Sequence, residues 1–209
     1  MILVGCKAVP AFWKPGDSSW TVISVITPTI DDVIYFNGHF YFVTCQNQLL
    51  FLDFQPDPKM YDIRSPRIVL RRPIAQSYLV DYFGHLLLVE RWDRDCIEKR
   101  HYKTRYFKVL RPDFEKKKVY KWKTIGEVAL FLGTNDSIVI YPSELVPGCK
   151  CKTNSIYFTD VTRTLSDEIF GCDDMGIFNT RDKTFGTFYP PEIRHTRVGT
   201  PIWFTPNPW

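Results

Sequence analysis

The sequence has no long apolar run. Its longest, such as Leu86–Val89 and Val128–Leu132, are far too short to cross a bilayer as helices, so no membrane partner is expected. A secretory signal is also missing: no basic segment precedes the apolar residues of "MILVGCKAVPAFW" and no cleavage site follows them. The chain reads as intracellular, cytoplasmic and/or nuclear. Six cysteines in 209 residues do not make a disulfide scaffold. Cys6, Cys45 and Cys96 stand alone and read as buried thiols. Cys149-Lys150-Cys151 with Cys172 offers thiolates, but C-x-C falls short of the usual zinc spacing of about two to four residues, and no His lies close by. No metal or other cofactor is expected.

Signatures of catalysis are missing too. There is no G-x-S-x-G, H-E-x-x-H, Walker A or dinucleotide-binding glycine pattern. The four histidines are poor nucleophile partners. His39 and His85 each follow a turn glycine in equivalent places and read as structural. His101 lies in a basic insertion and His195 in a polar tail, neither in a strand–turn–helix setting. Gly16-Asp17-Ser18-Ser19 reads as a turn between Pro15 and the strand that Trp20 begins. Asp31-Asp32 and Asp173-Asp174 would point to opposite faces of a strand, or be solvated in loops, so neither reads as a calcium site or an acid–base couple. An enzyme is not expected.

Helical periodicity is scarce as well, and strand signals take its place. The chain is 44% hydrophobic and 16% aromatic, outside the range of disordered chains. Runs of β-branched and aromatic residues alternate with Gly, Pro, Asn and Asp. "VIYFNGHFYFV" (Val33–Val43) predicts two strands around a tight turn, and "YLVDYFGHLLLV" (Tyr78–Val89) repeats it, with Gly38 and Gly84 46 residues apart. "VALFLGTNDSIVIY" (Val128–Tyr141) predicts a third such hairpin with a longer turn. A more polar kind of hairpin alternates with these, at Ala11–Ile23, Leu49–Ile63, Tyr106–Trp122 and Gly176–Pro190. Charged turns and polar strands suit an exposed sheet edge.

One inner and one outer hairpin make a four-stranded antiparallel sheet. Repetition at forty-odd residues marks a propeller blade, because a single sheet with two apolar faces must stack on its neighbours. A β-sandwich or a meander barrel would explain the strands but not the order of the hairpins. The fold class expected is therefore all-β: a partial β-propeller of about three and a half to four four-stranded antiparallel blades, not a closed ring. The whole of 1–209 reads as one incomplete propeller domain. The chain opens on an outer hairpin, with only Ile2–Val4 before it, and "SIYFTDV" (Ser155–Val161) is left over as the start of a further blade. The six tryptophans, Trp13, Trp20, Trp92, Trp122, Trp203 and Trp209, are expected to pack mainly between blades.

Several motifs in order carry a resemblance: "KPGDSSWT" (Lys14–Thr21), "DDVIYFNGHFYFV" (Asp31–Val43), "YLVDYFGHLLLVER" (Tyr78–Arg91), "ALFLG" (Ala129–Gly133), "GCKCKTNSIYFTD" (Gly148–Asp160) and "GIFNTRDKTFGTFYP" (Gly176–Pro190), followed by "PIWFTPNPW" (Pro201–Trp209). Together they resemble the plant F-box-associated β-propeller family, whose domain is called the KIB-type propeller. The resemblance runs from Ala11 to Trp209. It implies a substrate-recognition module, in which an F-box docks on a Skp-type adaptor of a ubiquitin ligase and the propeller binds the protein to be modified. No F-box is legible before Ala11, so adaptor binding is not expected of this polypeptide. A shortened gene, a truncated gene model and a free piece of propeller all fit that reading.

Charge is uneven. Residues 90–123 hold 13 Lys and Arg against 6 Asp and Glu, a net of +7 within a chain of +4. Such a stretch suits an acidic protein or nucleic acid, or is a solvated loop between strands. Arg91, Trp92 and Arg94, at the end of an inner strand, are the residues expected to form a partner-binding edge. The partner expected is a protein of unstated identity, a candidate for ubiquitination, with self-association through unpaired blade faces as a further expectation. Nucleic-acid binding through residues 90–123 is the second reading, and a propeller hydrolase the third.

Overall fold

A computed structural model of the chain describes residues 2–4, 9–23, 29–54, 59–64, 74–93, 103–145, 147–159, 174–189 and 202–204. These form sixteen strands in four sheets. The first sheet is β1 (Ile2–Val4), β2 (Val9–Phe12) and β3 (Thr21–Val22), in that order. The second is an up-and-down meander of β4 (Ile30–Phe36), β5 (His39–Thr44), β6 (Leu49–Asp53) and β7 (Lys59–Arg64). The third repeats it with β8 (Ile74–Tyr82), β9 (His85–Asp93), β10 (Thr104–Asp113) and β11 (Lys118–Lys121).

The repeated glycine turns are tight two-residue loops. Asn37-Gly38 and Phe83-Gly84 both have positive φ, at 46° and 86° and at 50° and 78°, the geometry that matches strand twist in a hairpin. Asn tolerates it well. Phe83 does not, and it lies stacked on Tyr141 at 4.9 Å.

Strands β8 and β9 show why these sheets stack. "HLLLVERWD" is buried without alternation, because its two faces meet two different neighbours. Leu79, Leu86 and Leu88 pack toward the second sheet with Tyr41, Val43 and Leu49. Tyr78, Val80, Leu87 and Val89 pack toward the fourth with Leu130, Leu132, Ile156 and Phe158. Phe12 and Ile23 of the first-sheet region join Phe42, Leu50 and Leu52 in the same way. Each fully buried Leu contributes about 2 kcal/mol of transfer free energy. Three shared cores therefore hold the sheets in the row 1-2-3-4, with inner strands β4 and β8 side by side. Among the described residues, none of these clusters joins the first sheet to the fourth. This is an open propeller arrangement, and the predicted hairpins are all present.

The fourth sheet departs from expectation. It contains β12 (Ala129–Leu132), β13 (Ile138–Ile140), β14 (Ser155–Phe158), β15 (Gly176–Asn179) and β16 (Phe185–Gly186), in the order β13-β12-β14-β15-β16. The predicted hairpin β12–β13 forms. However, a 3₁₀ turn at Pro142–Glu144 and the loop after it carry the chain back, so β14 enters parallel to β12. "SIYF" is thus the middle strand of this blade, not the start of another.

Part of the far face of this sheet is covered by Trp203, while its neighbours Ile202 and Phe204 are exposed. Trp203 donates its indole N–H to Leu132 O at 2.9 Å, and its backbone is held twice by the Asn135 amide. Gly133 permits this, since a Cβ there would come within 2.8 Å of Thr159 Oγ1 and 3.1 Å of the Trp203 ring. Trp13 and Trp20, expected between blades, are instead 46% and 50% exposed.

Candidate functional site: a cation-lined groove between the third and fourth sheets

The expected partner-binding edge is divided by the fold. Arg91 is 3% exposed, which corrects its assignment to a surface. Its Nε donates to Thr104 Oγ1 at 2.6 Å, Nη1 to Thr159 O at 3.0 Å, and Nη2 to both the carbonyl and the carboxylate of Asp174, at 2.9 and 2.6 Å. Burial opposes the charge, but Tyr78 and Asp174 outweigh it, and the guanidinium stays protonated. Arg91 is a staple between the third and fourth sheets. Asp174, expected in solvent, is its buried partner. Trp92 is half-buried, stacked at 5.5 Å on Tyr106 with Lys108 Nζ 3.7 Å from its ring, and it donates to Glu90. Arg94, His101, Cys172 and Asp173 lie outside the described residues.

Asp31 and Asp32 are also structural, by a route the sequence hid. A register irregularity between Ile30 and Asp32 bends β4, so neighbouring acids are not simply on opposite faces. Asp31 accepts from Ser77 N–H at 3.1 Å and Asp32 from Leu79 N–H at 2.8 Å, bridging the inner strands of two blades. Burial pushes the Asp32 carboxyl up to about 7. His39 packs edge-on against Phe51 and His85 at a tilt against Trp122, both at 5.9 Å, so both repeats use His through ring contact. Among the described residues no three His, Cys, Asp or Glu side chains group as a metal site.

What the fold does assemble is a groove of about 1040 Å³ between the outer part of the third sheet and the fourth. Its floor is apolar, from Phe107, Val109, Trp122 and Ile125. Its near wall carries Lys121, the last residue of β11, and Lys123 just past it, with Lys108 of β10 beside them. Its far wall carries Arg181 and Lys183, from the β15–β16 turn. That turn is pinned by side chains. Asn179 Oδ1 accepts from Arg181 N–H, Asp182 Oδ1 accepts from Thr184 N–H and Oγ1, and Thr180 donates to Asn154 O. Lys183 sits at φ 63°, with its ammonium pushed below the usual lysine range by burial and by the charge of Lys121. Among the described residues no carboxylate pairs with Lys121, Lys123, Arg181 or Lys183, and Glu127 is the one acid lining the groove. A second groove, of about 630 Å³, adjoins it and shares Lys121 and Trp122.

The basic stretch 90–123 thus supplies one wall only. The other comes from "NTRDK", about sixty residues on, where the sequence shows a charged turn and nothing of what faces it.

A profile of the KIB1-4 beta-propeller family matches residues 1–179. The chain belongs to that family. No curated protein matches it. The KIB1-4 match ends at Asn179, on the lip of the groove, so the first three blades and most of the fourth are family structure. A propeller of this family is a protein-interaction module in the general sense: a rigid stack presenting loops and inter-blade grooves.

Proposed function

We propose that this KIB1-4 propeller is a recognition arm that binds a protein and makes or breaks no bond in it, and that its system is a ubiquitin ligase for which the bound protein is the substrate. The observation that supports it best is the groove. Four of the five basic residues lining it, from two blades, have no carboxylate paired with them among the described residues, which is costly self-repulsion for an isolated surface and complementary to an anionic partner. The resemblance to F-box-associated propellers supports the ligase setting and an intracellular location.

Lysine-directed crosslinking of the tagged chain in plant cells tests this. The expected result is that crosslinks to one protein concentrate on Lys121, Lys123 and Lys183, and that this protein accumulates when the proteasome is blocked. Crosslinks spread evenly over the surface lysines would overturn it.

A further inference from the structure

Taking the recognition reading as its basis, we infer that the groove between the third and fourth sheets seats an acidic, extended segment of the partner, with carboxylates and apolar side chains in alternation. The walls fit the carboxylates: Lys121 and Lys123 flank Trp122 on one side, and Arg181 and Lys183 face them from the β15–β16 turn. The floor fits the apolar residues, through the half-buried Val109 and Trp122, backed by the buried Phe107 and Ile125. An extended chain presents alternate side chains to opposite sides, so one segment satisfies floor and walls together.

Nucleic acid would satisfy the walls alone. Binding of single strands relies on free aromatic faces for stacking. Here the Trp122 ring is engaged by Tyr82 at 5.8 Å, His85 at 5.9 Å and the Arg111 guanidinium at 5.8 Å. Phe107 is packed between Phe158 and Phe178, at 5.2 and 5.4 Å.

The test uses the full chain and fluorescence anisotropy. The probes are a labelled peptide alternating Glu with Leu, the same peptide with Lys for Glu, one with Gly for Leu, and an oligothymidylate of equal net charge. The Glu/Leu peptide is expected to bind saturably and the Lys/Leu peptide not to bind. The Gly peptide and the oligothymidylate are expected to bind more weakly. Lys121→Glu and Lys183→Glu are each expected to weaken the Glu/Leu peptide about tenfold, and Lys14→Glu on the first sheet less than about twofold. Near-UV circular dichroism checks that each variant is folded, and Lys121→Gln and Lys183→Gln replace any that is not. The inference falls if the Glu/Leu peptide does not bind, if Lys14→Glu weakens it equally, or if the oligothymidylate binds more tightly. Repeating the cellular crosslinking with Lys121→Glu separates the two readings: a partner kept undiminished leaves the recognition role standing and removes the groove from it.

Discussion

Arg91 and Phe83 show how much the stack depends on single side chains. Arg91 fixes Thr104, Thr159 and Asp174 at once from a buried position. Removing one partner of a buried ion pair leaves the other charged and uncompensated. Arg91→Ala is therefore expected to cost about 3–5 kcal/mol in chemical denaturation. Arg91→Lys is expected to recover little, since one ammonium cannot span the same acceptors. Phe83 is the opposite case. Its positive φ is unfavourable for a bulky residue, while its ring stacks on Tyr141 of the next blade. Phe83→Asn is expected to relieve the turn and lose the stack. In thermal unfolding, Phe83→Asn should come out below wild type, and Tyr141→Ala with Phe83→Asn no worse than Tyr141→Ala alone.

At the scale of strands, β4 and β8 are neighbours joined by carboxylates as well as by packing. Asp32 has a carboxyl raised from 3.8 to about 7, by burial first. The folded chain thus holds a proton there that the unfolded chain releases between those values. This contribution to stability is full below about pH 4 and is lost as pH rises through about 7, with a slope of at most about 1.4 kcal/mol per pH unit. Asp32→Asn is expected to flatten that part of the stability–pH profile measured by urea titration. An unchanged slope would assign the dependence elsewhere.

The hairpins themselves were legible from the sequence, because glycine turns and apolar alternation are local. Local pattern fails where the chain returns from a distance. The parallel entry of β14 depends on a loop of ordinary polar composition. The pairing of Arg91 with Asp174 spans 83 residues. The groove's two walls are likewise separate in sequence, so the basic stretch showed only half of the site. The bulge at Asp31 erased a correct rule about strand faces by adding one residue to one side.

At the scale of the whole molecule, three cores order four sheets in a line, and the far face of the fourth is partly covered by Trp203, whose ring lies 5.0 Å from Phe131 and 5.4 Å from Phe188. Trp203→Ala is expected to bare Phe131, Tyr157 and Ile177, residues that now form one apolar cluster, and exposed patches of that kind drive association. Light scattering across a range of concentrations should show mass rising with concentration for Trp203→Ala and less so for wild type.

That indole also sets what a second copy would meet at the outer face of the fourth sheet. Head-to-tail growth needs two complementary ends, and a face that already carries its own ring must release the bond from Trp203 to Leu132 before another sheet can lie flat on it.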